Sequence, residues 1–331
     1  MRQPEVARLA LLLLALVLAA PVVQAGQAML LAGAFLAEFL SEGRRAPLST
    51  LTAAPARRPL SLPGVAADRV APAGLARGRP LVLVHGVTPA GKDDPRVRAA
   101  AALLARAGFD VVVPTIPGLT RGRLRPDDVA PVVAALAARD APTAVVSVSV
   151  GSGPALLAAA DPRVRDRVRV VLSLGGYASA RELVRYHLSG SYAFGGVRGR
   201  VAPDPRLVEP FLQANADLLD APVRGLLATR DPARIDALLD APPPGTARLL
   251  DALSPVGAVT RIRARLVLVH GRADPAVPYT ESLRLAAARP ARTRVVVVGV
   301  LDHVEGGAPG AAALGDALAL WSVVYGLIAA G

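Results

Sequence analysis

Short apolar runs of strand length recur along most of the chain, and segments rich in alanine and leucine with helical character lie between them. The strand-like runs occupy residues 81–85, 109–114, 143–149, 168–176, 266–270 and 293–300. The helical segments occupy 94–108, 127–140, 153–161, 280–289 and 310–330. Strands that are apolar on both faces and alternate with helices are typical of a buried parallel sheet. The pattern therefore predicts an α/β fold with a mostly parallel central sheet and helices on both faces.

The sequence LVLVHG occurs twice, at residues 81–86 and 266–271. Two central strands that are buried on both faces meet the same packing demand, and valine and leucine satisfy it in both. We expect His-Gly to end each strand at the carboxyl edge of the sheet. No longer repeat surrounds the two copies, so a duplicated domain is not predicted.

The alternation stops between about residues 177 and 260, where helical pieces are separated by glycine and proline. Ligands of open α/β sheets bind at the carboxyl edge. We therefore expect an inserted helical cap that covers this edge and shapes a substrate pocket. Residues 41–80 are rich in proline, arginine and small residues, and they predict a linker followed by weak strands around 59–72.

The N-terminus combines positive charge with a long apolar run. Arg2 and Arg8 precede the apolar residues 9–23, and small residues near Ala25 suit a signal-peptide cleavage site. A second apolar run at 28–40 favours instead an uncleaved membrane anchor. Residues 1–40 are thus predicted as a signal peptide or an anchor, and 41–331 as the folded domain. Either alternative predicts an exported or membrane-associated protein, in a bacterial-type periplasm or cell envelope, over a cytosolic protein with a buried N-terminal helix.

The charge and the cysteine content exclude several classes of function. The formal net charge is +12, but the arginines are scattered along the chain and no nucleic-acid-binding motif accompanies them. In the densest cluster of arginines, at 163–170, the arginines alternate with valines. This pattern favours the end of a helix leading into a strand with one solvated side over a phosphate-binding site. We therefore expect no nucleic-acid partner. The chain has no cysteine, so disulfides, a thiolate nucleophile and a cysteine-ligated zinc ion are excluded.

Ser149 is the candidate nucleophile because it lies between a predicted strand and a predicted helix. Its second neighbours are the small residues Ser147 and Gly151. A nucleophile elbow places its serine in a strained turn, and larger side chains at those two positions would collide with neighbouring elements. Ser152 is the rival serine, but it lies within the start of the helix and has Pro154 where the elbow needs a second glycine.

Two later loops supply an acid and a base. Asp274 follows the strand at 266–270, in a loop that prolines make rigid, and His303 follows the last strand. One helix and one strand separate them, and the order Ser149, Asp274, His303 is that of nucleophile, acid and base in α/β-hydrolases. Asp302 is the alternative acid, but adjacent loop residues rarely align for a hydrogen bond to the imidazole.

From about residue 80 to residue 331, the chain resembles the α/β-hydrolase superfamily, and within it the dienelactone hydrolase and prolyl-oligopeptidase-like branch. The resemblance lies in LVLVHG, the S-x-S-x-G at 147–151, GRADPAVP at 271–278 and the LDH that ends at His303. It implies an α/β-hydrolase fold with an inserted cap, and a serine hydrolase that uses neither a metal ion nor an organic cofactor.

The resemblance also assigns supporting roles around the nucleophile. It implies that the backbone N–H groups of Val87 and Val150 form the oxyanion hole. His85 and Gly86 would then shape the turn after the first long strand, and His85 would not be the catalytic base. Ser147 departs from the family, which has glycine there. His187, a lone histidine in the predicted cap, is expected to serve packing or to lie at the surface.

These residues predict hydrolysis of a small-molecule ester or related acyl compound through a covalent acyl-enzyme. Thioesterases, peptidases and acyltransferases use the same three groups. A catalytically silent, hydrolase-like binding protein at the membrane is the alternative, which the departure at position 147 favours. The sequence carries no signal for an oligomeric state.

Overall fold

The computed structural model describes residues 3–74, 78–301 and 313–329, with side chains from residue 21 onward. Its strands are β1 (Ala56–Leu62), β2 (Val65–Ala71), β3 (Arg79–Val84), β4 (Phe109–Pro114), β5 (Thr143–Val148), β6 (Val168–Leu174), β7 (Ser191–Phe194), β8 (Val197–Arg200), β9 (Arg265–Gly271) and β10 (Thr293–Val298). Its helices are α1 (Gln3–Leu40), α2 (Pro47–Leu51), α3 (Pro95–Arg106), α4 (Val129–Ala137), α5 (Ser152–Ala159), α6 (Ala180–Ser189), α7 (Pro205–Asn215), α8 (Ala221–Arg224), α9 (Leu226–Thr229), α10 (Pro232–Asp240), α11 (Pro244–Ala252), α12 (Thr280–Ala288) and α13 (Ala313–Ala329).

Eight of the strands form one sheet in the order β1-β2-β4-β3-β5-β6-β9-β10. The pairs β1–β2 and β2–β4 are antiparallel, and every other neighbouring pair is parallel. Alternate residues of β3 enter the apolar clusters on the two faces: Val82 joins one cluster and Leu83 the other. The prediction of a mostly parallel sheet, buried on both faces, is confirmed.

Helices cover both faces of the sheet. One apolar cluster includes Val132 of α4 and Leu156 of α5, and the other includes Leu104 of α3 and Val323 of α13. The two strands of LVLVHG, β3 and β9, lie in the middle of the sheet with β5 and β6 between them. Their equal burial explains the repeated sequence without a duplicated domain.

The insertion between β6 and β9 contains α6 to α11, but it is not wholly helical as predicted. Strands β7 and β8 form an antiparallel hairpin whose turn is Gly195-Gly196. Both glycines have positive φ, at 58° and 84°, as a tight two-residue hairpin turn requires. The Gly-Gly pair was the available sequence signal, but each flanking strand has only four residues and no clear alternation.

The N-terminal helix is continuous from Gln3 to Leu40, through Pro21. From Ala28 onward one side of it packs on the domain, where Ala32 is fully buried and Leu36 nearly so. Its segment Pro21–Leu40 is long and apolar enough to cross a membrane, which is weak evidence for a signal sequence or an anchor. The division of the chain at residue 40 stays a prediction.

The prediction of a linker in residues 41–80 is partly wrong, because an ordered helix precedes the predicted strands. This region holds α2, whose Leu48 is 1% exposed, as well as the hairpin of β1 and β2. The Arg106 guanidinium at the end of α3 donates hydrogen bonds to the backbone oxygens of Ser49 and Thr52. The sequence did not predict this ordered structure, because it depends on the burial of a single leucine and on hydrogen bonds from a distant arginine to backbone oxygens.

Candidate active site

Ser149 lies at a sharp turn between β5 and α5. Its φ is +54°, a left-handed conformation shared with three other non-glycine residues in the described part of the chain. A residue with a Cβ pays about 1–2 kcal/mol for this conformation. A short 3₁₀ turn, Ser149–Gly151, follows and leads directly into α5. The predicted elbow position therefore has the strained backbone that a nucleophile elbow requires.

The small residues around Ser149 are explained by close packing. A Cβ on Gly151 would lie 2.9 Å from the carbonyl carbon of His85 and still closer to its oxygen, so no side chain fits there. Ser147, at the position where the family has glycine, is fully buried on β5. Its hydroxyl donates a 3.4 Å hydrogen bond to the Leu172 carbonyl oxygen of β6. The added hydroxyl thus finds an acceptor inside the sheet.

The turn after β3 packs against the elbow. A Cβ placed on Gly86 would lie 3.2 Å from Ser149 Cβ and 3.3 Å from the Val148 carbonyl oxygen. Glycine at position 86 is what permits this approach. The neighbouring Val87 has an exposed side chain, whereas Val150 is 5% exposed. The assignment of the Val87 and Val150 N–H groups to an oxyanion hole stays a prediction.

Both ring nitrogens of His85 form hydrogen bonds with backbone groups. Its Nε2 accepts a 3.0 Å hydrogen bond from the Ile116 N–H, and its Nδ1 lies 2.7 Å from the Gly86 carbonyl oxygen and donates to it. Burial lowers the pKa of His85, so the imidazole is neutral. This arrangement fits the expected support of the turn and leaves no nitrogen for proton transfer.

A buried carboxylate fixes the loop that follows this turn. Asp94 caps α3 by accepting a 2.8 Å hydrogen bond from the Arg96 N–H, and it accepts a second one of 2.5 Å from the Thr88 hydroxyl. Burial raises the pKa of Asp94, but the hydrogen bonds from Arg96 and Thr88 outweigh it and lower the pKa to about 2. The carboxylate is therefore charged throughout the physiological range and holds Thr88, next to Val87.

Asp274, the predicted acid, lies beyond the carboxyl end of β9 and is 2% exposed. Its Oδ1 accepts hydrogen bonds of 2.8 Å from the Ala276 N–H and 2.9 Å from the Val277 N–H. Its Oδ2 lies 3.4 Å from Nε2 of His270. A buried carboxylate held in this way has a fixed orientation, which is what a triad acid needs.

His270 supports the acid loop from below, a role that the sequence did not indicate. The imidazole is fully buried, with Nε2 donating to the Val277 carbonyl oxygen at 2.9 Å and Nδ1 accepting from the Ser282 hydroxyl at 2.8 Å. Both copies of LVLVHG thus end in a buried histidine that holds a loop at the carboxyl edge. The repetition indicated only that both histidines follow a central strand, not which loop each of them holds.

The cap is tied directly to the acid loop. The hydroxyl of Tyr186 donates a 3.0 Å hydrogen bond to the carbonyl oxygen of Asp274, and Nε2 of His187 donates a 2.8 Å hydrogen bond to that of Ala276. Burial raises the pKa of Tyr186, which keeps this hydroxyl protonated as a donor. His187 is buried and makes an edge contact with Phe211, so packing is the one of its two expected roles that is observed.

A buried glutamate completes the junction between cap and core. One carboxylate oxygen of Glu281, on α12, accepts hydrogen bonds of 3.0 Å from the Ala178 N–H and 2.8 Å from the Ser179 N–H, at the start of α6. Arg284 pairs with its other oxygen at 3.1 Å. Burial raises the pKa of Glu281. Sequence reasoning missed Glu281 and Tyr186, because each occupies an ordinary position within a helix.

The predicted base, His303, and the alternative acid, Asp302, lie outside the described residues. Strand β10 ends at Val298, at the same edge of the sheet as the ends of β5 and β9, and His303 follows it in the chain. The described part of the chain therefore leaves β10 at the edge where the segments that carry Ser149 and Asp274 also begin. The contacts of His303 with Ser149 and Asp274 stay a prediction.

A cleft lies within the cap, on the side of α6 that carries His187. It is lined mainly by the end of α6, the loop after β8 and the start of α7, including Leu188, Val208 and the charged residues Arg200, Glu209 and Arg230. Among the described residues, no three or more histidine, aspartate or glutamate side chains form a group that could hold a metal ion.

Comparison with known proteins finds similarity in structure only. No family model matches the chain. No curated protein matches it either. Among solved structures, 2,6-dihydroxy-pseudo-oxynicotine hydrolase superposes with a TM-score of 0.53 and 18% identity, over 90% of this chain and 78% of that one.

Two peptidases superpose on the chain over a smaller share of their own length. Dipeptidyl peptidase 4 of Porphyromonas gingivalis gives a TM-score of 0.51 at 14% identity, over 82% of this chain and 35% of that one. Acylaminoacyl peptidase of Pyrococcus horikoshii gives 0.50 at 15% identity, over 82% and 40%. The chain thus matches well under half of each peptidase. Together with the sheet order and the elbow, these similarities show that the chain has the α/β-hydrolase fold.

Proposed function

We propose that the protein is a serine hydrolase that cleaves carboxylic esters or related acyl compounds through a covalent acyl-enzyme. The observation that carries the proposal is the backbone of Ser149, with φ at +54° between β5 and α5. Strain of this kind in a non-glycine residue at the carboxyl edge of a parallel sheet is a hallmark of nucleophile elbows. The close approach of Gly86 and Gly151 around it supports the same assignment.

In the proposed mechanism, His303 takes the proton of the Ser149 hydroxyl as the oxygen attacks the acyl carbon. Asp274 orients the imidazole and stabilises its charged form. The N–H groups of Val87 and Val150 would stabilise the oxyanion of the tetrahedral intermediate, and such donors are typically worth about 3 kcal/mol each. The alcohol leaves with the proton from His303. A water molecule, deprotonated by the same imidazole, then attacks the acyl carbon and releases the acid.

The cap provides the substrate side of the proposal. Its helix α6 is joined to the acid loop through Tyr186 and His187, so the cap and the triad acid form one connected unit. We therefore place a small acyl substrate between the cap and the carboxyl edge. The N-terminal helix directs the protein to the cell envelope, as a cleaved signal or as an anchor. Mass spectrometry of the mature N-terminus distinguishes the two, because cleavage after Ala25 would leave Gly26 as the first residue.

A fluorophosphonate probe and a panel of p-nitrophenyl esters of graded chain length test the activity. We expect the wild-type chain to be labelled and to turn over esters, and Ser149→Ala to abolish both. The matched control is Ser152→Ala, three residues along, which removes the rival hydroxyl and should retain labelling. Labelling that persists in Ser149→Ala would refute the assigned nucleophile. A folded wild-type chain that is neither labelled nor active would favour the silent binding protein instead.

His303 needs a separate test because its role rests on chain order. We expect His303→Ala to reduce turnover at least a thousandfold while leaving the melting temperature unchanged within error. His270→Ala, in contrast, should mainly lower the melting temperature. Turnover at the wild-type level in His303→Ala would refute its role as the base.

A further inference from the structure

Helices α1 and α13 lie side by side on one face of the sheet. The indole N–H of Trp321, on α13, donates a 3.3 Å hydrogen bond to the Met29 carbonyl oxygen of α1. A Cβ on Gly33 would lie 3.9 Å from the same indole nitrogen. Trp321 also stacks on Tyr325, with ring centroids 5.4 Å apart. The seam between the two helices therefore passes through Trp321.

Helix α13 runs from the carboxyl edge of the sheet to its amino edge. Near its start, Asp316 accepts a 2.6 Å hydrogen bond from the N–H of Gly299, which directly follows β10. Near its end, the carbonyl oxygen of Ile328 accepts a hydrogen bond from Arg79, the first residue of β3. The first turns of α13 are thus the ones nearest to the edge that carries the elbow.

Helix α1 runs in the same direction. Near its end, Glu38 accepts a 2.9 Å hydrogen bond from the Ser49 N–H, in α2. Arg106, three residues before β4 begins, binds the backbone just after this point, at Thr52. The end of α1 therefore lies at the amino edge of the sheet. Its earlier residues lie toward the carboxyl edge, alongside the start of α13.

Exposed apolar side chains concentrate at this end of the two helices, which we call the apolar end. It consists of six of the nine large apolar residues that are exposed in the described part of the chain: Val22, Val23, Met29, Leu30, Leu314 and Leu318. Since Met29 contacts Trp321, residues 22–30 of α1 lie level with 314–322 of α13. Single exposed leucines are ordinary, but a contiguous apolar patch marks an interaction surface.

We propose that the apolar end rests in the interface of a lipid bilayer and turns the carboxyl edge of the sheet toward it. Beyond Val22, α1 continues back to Gln3. Residues 3–20 add about 27 Å of helix, close to the thickness of a bilayer core. This extension is apolar, with Glu5 and Arg8 as its charged residues. A soluble partner would not require an apolar extension of that length, and the net charge of +12 favours anionic lipid.

The inference goes beyond an N-terminal anchor, because it brings α13 of the folded domain into contact with lipid and fixes an orientation. A tethered domain would otherwise rotate freely above the membrane. If the proposed hydrolase function also holds, the acyl substrate would reach the elbow from the membrane side.

Trp321 is the only tryptophan, so its fluorescence reports on this surface alone. The full-length chain is mixed with vesicles of phosphatidylcholine and phosphatidylglycerol, with or without bromine near the start of the acyl chains. Interfacial helices lie about 5–10 Å into the headgroup boundary, so we expect brominated lipid to quench the emission by about half. Flotation of the same samples measures the fraction bound.

Paired variants separate docking from simple anchoring. We expect the double variant Leu314→Glu and Leu318→Glu to float as the wild type does but to lose most of the quenching. The matched control is Leu207→Glu, at a leucine on α7 in the cap that is 50% exposed, and this variant should keep the quenching. Emission of the wild-type chain that stays unquenched although the chain floats would overturn the proposal, and so would a failure of the wild-type chain to float. Unquenched emission together with a dimer in solution would assign the apolar end to a second copy.

The fluorophosphonate assay on the same samples keeps the two proposals apart. Labelling of Ser149 without quenching would leave the hydrolase function standing and overturn the bilayer contact. Quenching without labelling would do the reverse.

Discussion

The strained backbone of Ser149 can be tested without reference to activity, by comparing alanine and glycine at this position. Both Ser149→Ala and Ser149→Gly remove the hydroxyl and all of its contacts, so these losses cancel in the comparison. The two variants differ in the Cβ. At φ +54°, a Cβ costs about 1–2 kcal/mol, whereas glycine adopts this conformation freely.

The greater flexibility of glycine in the unfolded chain offsets part of this gain. That loss is about 0.5–1 kcal/mol relative to alanine. The difference leaves Ser149→Gly more stable than Ser149→Ala by about 0.5–1 kcal/mol. For a domain of this size we expect the melting temperature of Ser149→Gly to be higher by about 1–3 °C. Differential scanning fluorimetry of the full chain in mild detergent measures it.

Ser152 supplies the matched control three residues away. Its φ is −63°, an ordinary helical value, and its hydroxyl accepts a 3.1 Å hydrogen bond from the Tyr177 N–H. Ser152→Ala and Ser152→Gly lose that bond equally, but here alanine should be the more stable by about 1 kcal/mol, since glycine disfavours a helix. The sign of the difference should therefore reverse between the two positions. The same sign at both would refute the strain assigned to Ser149.

Three further outcomes follow from the packing of the site. Gly151→Ala should lower both stability, by about 1–3 kcal/mol, and ester turnover, because its Cβ would displace the carbonyl of His85; an unchanged melting temperature would contradict this. Tyr186→Phe removes the hydrogen bond to the Asp274 carbonyl oxygen and should destabilise the chain by about 1–3 kcal/mol, as for a buried acceptor left unpaired; urea titration against the half-buried Tyr325→Phe measures it. Burial lowers the pKa of His85 below its ordinary value of 6.5, so below pH 6.5 the unfolded chain binds a proton that the folded chain does not. The melting temperature should therefore fall as the pH drops through and below 6.5, and less steeply in His85→Asn; equal slopes would contradict the neutral, buried imidazole.

The central fold could be predicted from the sequence because the elements of the parallel sheet are dictated locally. The strands β3, β5 and β9 are continuous apolar runs, and such runs between helices are stable only in a sheet that is covered on both faces. Pro95 after Asp94 likewise marks the start of α3, where the aspartate accepts a hydrogen bond from the Arg96 N–H. These signals need no knowledge of distant contacts.

The strained turn at Ser149 could also be predicted, because its close packing leaves a local mark in the sequence, whereas the role of Ser149 as nucleophile stays a prediction. The small residues Ser147 and Gly151 around Ser149 reflect close packing that the structure shows at His85 and Leu172. The hairpin of β7 and β8 was not predicted, because four-residue strands in a cap carry little periodicity. The packing of α1 on the domain from Ala28 onward could not be predicted either, since an apolar helix has the same composition in a membrane, in a signal peptide and on a protein core.

The sequence by itself determined the α/β class, the order of the strands along the chain and the position of the strained turn at Ser149, since burial, periodicity and turn chemistry act over a few residues. Only the tertiary structure decided that His270, Tyr186 and Glu281 hold the acid loop and the cap. Each forms hydrogen bonds to groups in other elements or loops, and the groups that Tyr186 and Glu281 bind lie about a hundred residues away along the chain. Such partners meet only after the sheet has assembled, so no local pattern records them.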